Sequence, residues 1–352
     1  MQPAKILPKS AFPGWIDFLK RSYTVVGPKA MHGQTVFGEI ETADDLTLEY
    51  NQSVIPPKKY LVPQREVLIE YKLDGTEVEA KFNEEAAVVF GVHTCDLHAI
   101  KLLDLIFSKG FTDQHYAAHR DNTIIIGYEC LTTCGPESFC RSMGTASAPE
   151  SAYALLIIDM GSDYFLQIGT ERGEALFTGY DGVFTATEPD YARMNGTLSD
   201  KWQRFPYRLD VDETEIPDLL AESYHSDHWQ ELADICLACG MCTQVCPTCY
   251  CFDIRDEVDV TLSVGKRVRS WDSCQIDSFA LVAGGHNFRE TRAARQRHRF
   301  MRKGKYQFDA TGMVGCVGCG RCATACLVDI TPIKTFNELY RRQQQQPEEV
   351  EA

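Results

Sequence analysis

Residues 236–246, CLACGMCTQVC, and residues 316–326, CVGCGRCATAC, each spell Cys-x2-Cys-x2-Cys-x3-Cys. Two-residue spacers let one short loop present three thiolates to a cubane of iron and sulfide, and the fourth cysteine of such a run characteristically ligates the other cluster. Two runs therefore predict two 4Fe-4S clusters. Cys236, Cys239, Cys242 and Cys326 belong to the first, and Cys316, Cys319, Cys322 and Cys246 to the second. Gly240 and Gly320 hold the same place in each run, where a backbone without Cβ can pass close to an inorganic sulfur or take a positive φ. Tetrahedral zinc is the competing reading, because it too takes four thiolates from paired Cys-x2-Cys elements, but it has no need of a third and fourth cysteine in this rhythm. Pro247 follows the first run, whereas Leu327 and Val328 stand in the corresponding places after the second.

Working outward, DLLAESYHSDHWQELADIC leads into the first run with helical periodicity from Pro217 onward, and the long connection between the runs looks partly helical. An α-helical ferredoxin-type dicluster domain is predicted over 216–340, followed by a low-complexity tail at 341–352, QQQQPEEVEA at its end, that is expected to be disordered. Upstream the texture is different. AAVVFGV, then LHAIKLLDLIFSKG, then NTIIIGY reads as strand, helix and strand, with the helix stopped by Gly110, and YALLIIDMG and DYFLQIG add two more strands. The first sixty residues carry only proline punctuation, at Pro56, Pro57 and Pro63, before the strand-like VLIEYKL. Residues 1–215 are thus predicted as an α/β domain.

In such a domain Cys95 and Cys130 fall just beyond strand ends, at the carboxyl edge where open α/β sheets bind ligands. Cys134 and Cys140 follow in ECLTTCGPESFC. These four thiols are candidates for a third 4Fe-4S cluster; the alternative is that they are free core cysteines, a residue type often fully buried. Cys249, Cys251 and Cys274 are open to three readings: ligands of an additional site, a redox-active pair, or packing around the clusters that tunes them. The last is preferred. Arg289, Arg292, Arg295, Arg299 and Arg302 recur at three and four residues, which places a basic stripe on one helix face. The stripe is expected to dock an acidic partner, to raise cluster potentials, or simply to face solvent.

With 352 residues and a hydrophobic fraction of 44%, the chain can build two sizeable cores. A net charge of −15 argues against nucleic acid and anionic membrane surfaces as partners. No apolar run approaches the ~20 residues of a membrane span, and the N-terminus lacks the features of a secretory signal, so a cytoplasmic protein is expected. Fifteen clustered cysteines there point to metal or catalysis rather than disulfides. No GxGxxG, phosphate loop or HExxH is present. Catalytic and substrate-site residues are therefore not assigned, and any flavin or nicotinamide is expected on a partner.

CPTCYCFDI, RVRSWDSC, FALVAGGHNFRETRAARQRHR and CVGCGRCATACLVDITP resemble the iron-sulfur beta subunit of cytoplasmic nickel-iron hydrogenases of the sulfhydrogenase type. The resemblance extends to GVHTCDLHAIKLLD and FCRSMGT in the N-terminal half. The iron-sulfur subunit of anaerobic sulfite reductase and other 4Fe-4S dicluster subunits of flavin oxidoreductases look related and supply the alternative. The resemblance implies an electron-transfer subunit of a heteromeric oxidoreductase. Its partners would be a gamma-type subunit binding FAD and NAD(P) and the small and large nickel-iron hydrogenase subunits. The implied reaction is reversible hydrogen oxidation with NAD(P), or hydrogen-driven sulfur reduction. From a different class, the clusters could instead be structural elements of a binding protein.

Overall fold

Continuous aliphatic runs such as AVVFGVH, TIIIGY and LLIID suit strands covered on both faces. The computed structural model, which describes residues 4–345, gives the strands β1 (Lys5–Pro8), β2 (Thr24–Met31), β3 (Gln34–Glu39), β4 (Arg65–Lys72), β5 (Val78–Ala80), β6 (Ala87–His93), β7 (Thr123–Tyr128), β8 (Leu155–Asp159), β9 (Asp163–Ile168), β10 (Phe184–Thr185), β11 (Phe252–Val258) and β12 (Val264–Trp271). Eight of them form one mixed sheet in the order β10-β1-β9-β8-β7-β6-β2-β3. Its centre is parallel, with Val25 opposite Val88, Val88 opposite Ile124 and Gly127 opposite Leu156. The helix Thr94–Ser108 and the shorter helix Gln114–Asn122 carry the chain from β6 back to β7, the expected crossover unit. Alternation along β6 sends Val88 and Phe90 to a core built around Trp15 of the helix Phe12–Leu19, and Val89 to a core with Leu97, Ile100 and Leu103.

The region 216–340 is not wholly helical, which corrects that part of the expectation. Between the two cysteine runs β11 and β12 form an antiparallel hairpin, with Arg255 opposite Val268. Its turn is held by Asp259, whose carboxylate accepts from the Ser263 and Val264 backbone N–H groups at 2.8 and 3.0 Å. The hairpin joins β4 and β5 in a second, fully antiparallel sheet ordered β11-β12-β4-β5. Strands from both sides of residue 215 share this sheet. Arg269 of β12, buried, pairs with Glu66 of β4 at 2.7 Å and with Asp113, the N-cap of the crossover helix Gln114–Asn122, at 2.5 Å.

Around the cysteine runs, the helices Ile216–Glu222, His228–Ile235, Arg292–Met301 and Pro332–Gln345 enclose a core of Leu220, Trp229, Phe300 and Phe336. The last helix takes in residues 341–345, so the beginning of the expected tail is helical; 346–352 lie outside the described residues. Among the described residues no helix is long and apolar enough to cross a membrane.

Candidate metal centres

Each cysteine run folds as a tight loop that enters a single helical turn, Met241–Gln244 within the first and Arg321–Thr324 within the second, and the two turns pack together. Gly240 and Gly320 precede these turns with φ of +77° and +80°, as the sequence led one to expect. The packing of the turns produces two cavities with crossed membership. One is bordered by Cys236, Cys239 and Cys242 of the first run and by Cys326 of the second. The other is bordered by Cys316, Cys319 and Cys322 of the second run and by Cys246 of the first, and Cys242 borders it as well as the first cavity. The donor set fits a cubane. All eight are soft thiols spread around a hollow, and among the described residues no three His, Cys, Asp or Glu groups converge closely enough for a single metal ion. Hydrogen bonds already point at the sulfurs: Ala238 N–H and Gln296 Nε2 donate to Cys236 Sγ at 3.3 and 2.8 Å, and Ile330 N–H donates to Cys326 Sγ at 3.3 Å. Such donors stabilise thiolate charge and are among the levers that set a cluster's potential.

Arginine, rather than an open charged face, is what the basic helix contributes. Arg289 precedes the helix, while Arg295 and Arg299 are buried on its inner side. Arg299 borders both cavities and donates to Cys322. Burial opposes its charge, but the surrounding sulfurs of Cys242, Cys322, Cys246 and Cys249 outweigh that and hold its pKa above the ordinary value. Lys303 behaves in the same way toward Cys246 and Cys249 and donates to Thr248 Oγ1. Lys58, 3% exposed and far away in sequence, donates to the Cys249 carbonyl and lies over the Trp271 ring. Burial pulls its pKa down to about 8 while Cys249 and Cys246 favour its charge. None of Lys58, Lys303 or Arg299 has a carboxylate partner among the described residues, so these cations answer to sulfur.

Cys95, Cys130, Cys134 and Cys140 also come together. Cys95 lies in the first turn of the helix Thr94–Ser108, Cys130 just after β7, and the other two in the loop that follows. Cys134 senses the charge of Cys130 and Cys140, and Cys95 that of Cys134 and of Cys319 from the second run. Burial is the leading cause that lifts all four thiols, Cys130 to about 12 and Cys140 to about 11, as expected for thiols whose ionised form lacks a counter-cation in direct contact. Cys130 and Cys134 border a solvent-facing cavity at the carboxyl edge of the sheet, with Tyr50, His93 and Tyr128. Burial, reinforced by the Arg321 charge, pushes the His93 imidazole down to about 3, so it is neutral. Its Nδ1 lies 3.6 Å from Cys134 Sγ, and its ring stacks on Tyr50.

The cysteine-bearing loop 130–145 is fastened directly to the second run. Phe139 N–H donates to the Gly318 carbonyl at 2.8 Å and Thr145 Oγ1 to the Val317 carbonyl at 2.7 Å. A Cβ on Gly318 would come within 2.7 Å of the Phe139–Cys140 backbone, and one on Gly320 within 2.6 Å of the Glu137 carbonyl. Arg321 completes the junction with a two-pronged bond to Asp96, both contacts at 2.7 Å. Ala238 holds the corresponding place in the first run, also with a positive φ, 52° against 63° at Gly318. Of the remaining cysteines, Cys249 lies beside Cys246 and Cys251 beside Cys274, each thiol acting on the other.

The residues 235–330 match the family of 4Fe-4S dicluster domains. Two crossed, thiol-lined cavities within that match define the class: an iron-sulfur protein of the 4Fe-4S dicluster kind. Over 331 residues, 93% of this chain and 96% of the relative, the chain is 33% identical to the sulfhydrogenase 2 subunit beta of Pyrococcus furiosus, and it belongs to the family of hydrogenase beta subunits that carry iron-sulfur electron transfer. No solved structure matches it.

Proposed function

We propose that this chain carries electrons between a subunit binding FAD and NAD(P) and the small and large subunits of a nickel-iron hydrogenase. It would do so through clusters held by Cys236, Cys239, Cys242 and Cys326 and by Cys316, Cys319, Cys322 and Cys246. The observation that carries the reading is the crossed membership of the two cavities, which brings the fourth cysteine of each run to the other's site. When bound, the clusters supply one-electron chemistry at low potential; the protein supplies placement, insulation and charge. Around the first site Cys239 is exposed, and Leu237 and Leu327, 57% and 82% exposed, stand beside it with Met241. An apolar surface with a cluster at its centre suits contact with a partner's redox centre. At the far end Cys95, Cys130, Cys134 and Cys140 form a third site, beside Cys319 and below the solvent-facing cavity. A relay of three clusters with an opening at each end follows.

Iron and acid-labile sulfide on the anaerobically purified chain, with EPR after reduction, test this. About twelve of each per chain are expected on the four-per-cubane rule, and about eight would return the N-terminal cysteines to the core. Zinc without sulfide would overturn the assignment entirely. Arg299 gives a second test. A cation bordering both sites favours the reduced, more negative clusters, so Arg299→Gln is expected to lower their reduction potentials by roughly 60 to 120 mV, on the scale of 59 mV per tenfold for one electron. Redox titration followed by EPR measures it, and unmoved potentials would assign Arg299 to packing alone.

A further inference from the structure

Cys251 enters β11 and Cys274 follows β12, and the hairpin's last rung clamps their chain segments together. Phe252 lies opposite Trp271, and the Asp272 N–H donates to the Cys251 carbonyl at 2.9 Å. Beyond that rung the two side chains face each other closely enough for each thiol to act directly on the other. Neither residue belongs to a cysteine run, and neither borders the two cavities assigned to the clusters. The pair nevertheless neighbours residues of both sites. Cys274 acts on Cys242 of the first site, and its neighbour Gln275 borders that cavity. Cys251 shares the charges of Lys303 and Lys58 with Cys246 of the second site. Lys58 and Lys303, which have no carboxylate partner among the described residues, act first on Cys249 and Cys246, and their charges reach Cys251 as well, the environment in which a cysteine reacts as thiolate.

We propose that Cys251 and Cys274 are a redox-active dithiol that exchanges two electrons with the flanking clusters. In the oxidising direction two S–H bonds break and one S–S bond forms. Two protons leave to water past the half-buried Cys251, and one electron passes to each of two oxidised 4Fe-4S clusters. The reverse step takes one electron from each reduced cluster and two protons from water. A two-electron store beside one-electron carriers matches the stoichiometry of nicotinamide and hydrogen chemistry, in which electrons arrive and leave in pairs. The destination of the electrons rests on the cluster assignment proposed above; the pairing of the two cysteines rests on the hairpin.

The test uses the full-length chain with its iron and sulfide, purified anaerobically. It is poised with excess thionine or with dithionite, alkylated with N-ethylmaleimide, digested and analysed by mass spectrometry. A peptide linked through Cys251 and Cys274 is expected in the oxidised sample and at least tenfold less of it after reduction. Cys251→Ser and Cys274→Ser should each lose the linked peptide while keeping the wild-type iron content and cluster EPR signals. Full alkylation of both cysteines in oxidised wild-type protein, or linkage of either to Cys249 instead, overturns the dithiol. Loss of about four irons per chain in either serine variant overturns it as well and makes these residues cluster ligands. A chain without iron in its two runs would sink the cluster assignment separately, since the dye alone can still drive the linkage.

Discussion

Replacing Cys239 and Cys319 together by alanine is expected to reduce electron transfer between the flavin and hydrogenase sites of the complex to background, while each partner's own chemistry persists. One ligand is removed from each assigned cluster, and alanine offers no atom in its place. Iron should fall from about eight per chain in the C-terminal sites to less than about half of that, because a cubane with three thiolates and an open corner is easily lost. The choice of positions keeps the result interpretable. Cys239 is exposed, so its truncation empties no core, and Cys319 borders a hollow rather than filling one. Retained far-ultraviolet circular dichroism and retained hydrogen-dependent dye reduction by the hydrogenase subunits would show that the fold and the partners survive. Coupled turnover at the wild-type rate would remove the conduit role altogether.

What the sequence made legible was local. The cysteine runs could be read because their ligands sit within eleven-residue loops, and the parallel centre of the large sheet because β6, its crossover helix and β7 follow one another with patterns of the right period. The hairpin was missed for a physical reason: Arg255 and Asp256, adjacent in FDIRDEV, put charges on both faces and break the alternation, and the partner strand β4 lies far back in the chain. The arginine helix was legible as a helix but not in its orientation. Arg299 points inward toward thiols and Arg295 toward Asp277 and the Arg289 and Glu290 carbonyls, partners that a hydropathy pattern cannot show. Lys58, Asp96 and His93 had no local signal at all, since each gains a role only through sulfur or arginine supplied by another part of the chain.

Asp96→Ala is expected to be the most damaging single substitution away from the cysteines. Asp96 and Arg321 are 1% and 3% exposed, and among the described residues Arg321 otherwise donates only to the Ser53 carbonyl and hydroxyl. Burial opposes the guanidinium charge, and Asp96 more than compensates for it. Without the carboxylate a charged group is left buried and unpaired, which costs about 3 to 5 kcal/mol. Chemical denaturation of the iron-loaded chain should register that loss, and a shift under about 1 kcal/mol would mean that water or a rearranged partner satisfies Arg321. The double variant Asp96→Ala with Arg321→Met should recover much of the stability, because replacing both charges by apolar groups removes the penalty. It should not recover function equally. Arg321 belongs to the second run and faces the N-terminal cysteines, where its charge acts on Cys319, Cys95 and Cys134 alike. A variant that folds well and yet transfers electrons slowly beyond the second site would separate the two duties of this ion pair, holding the loops together and setting the field between them.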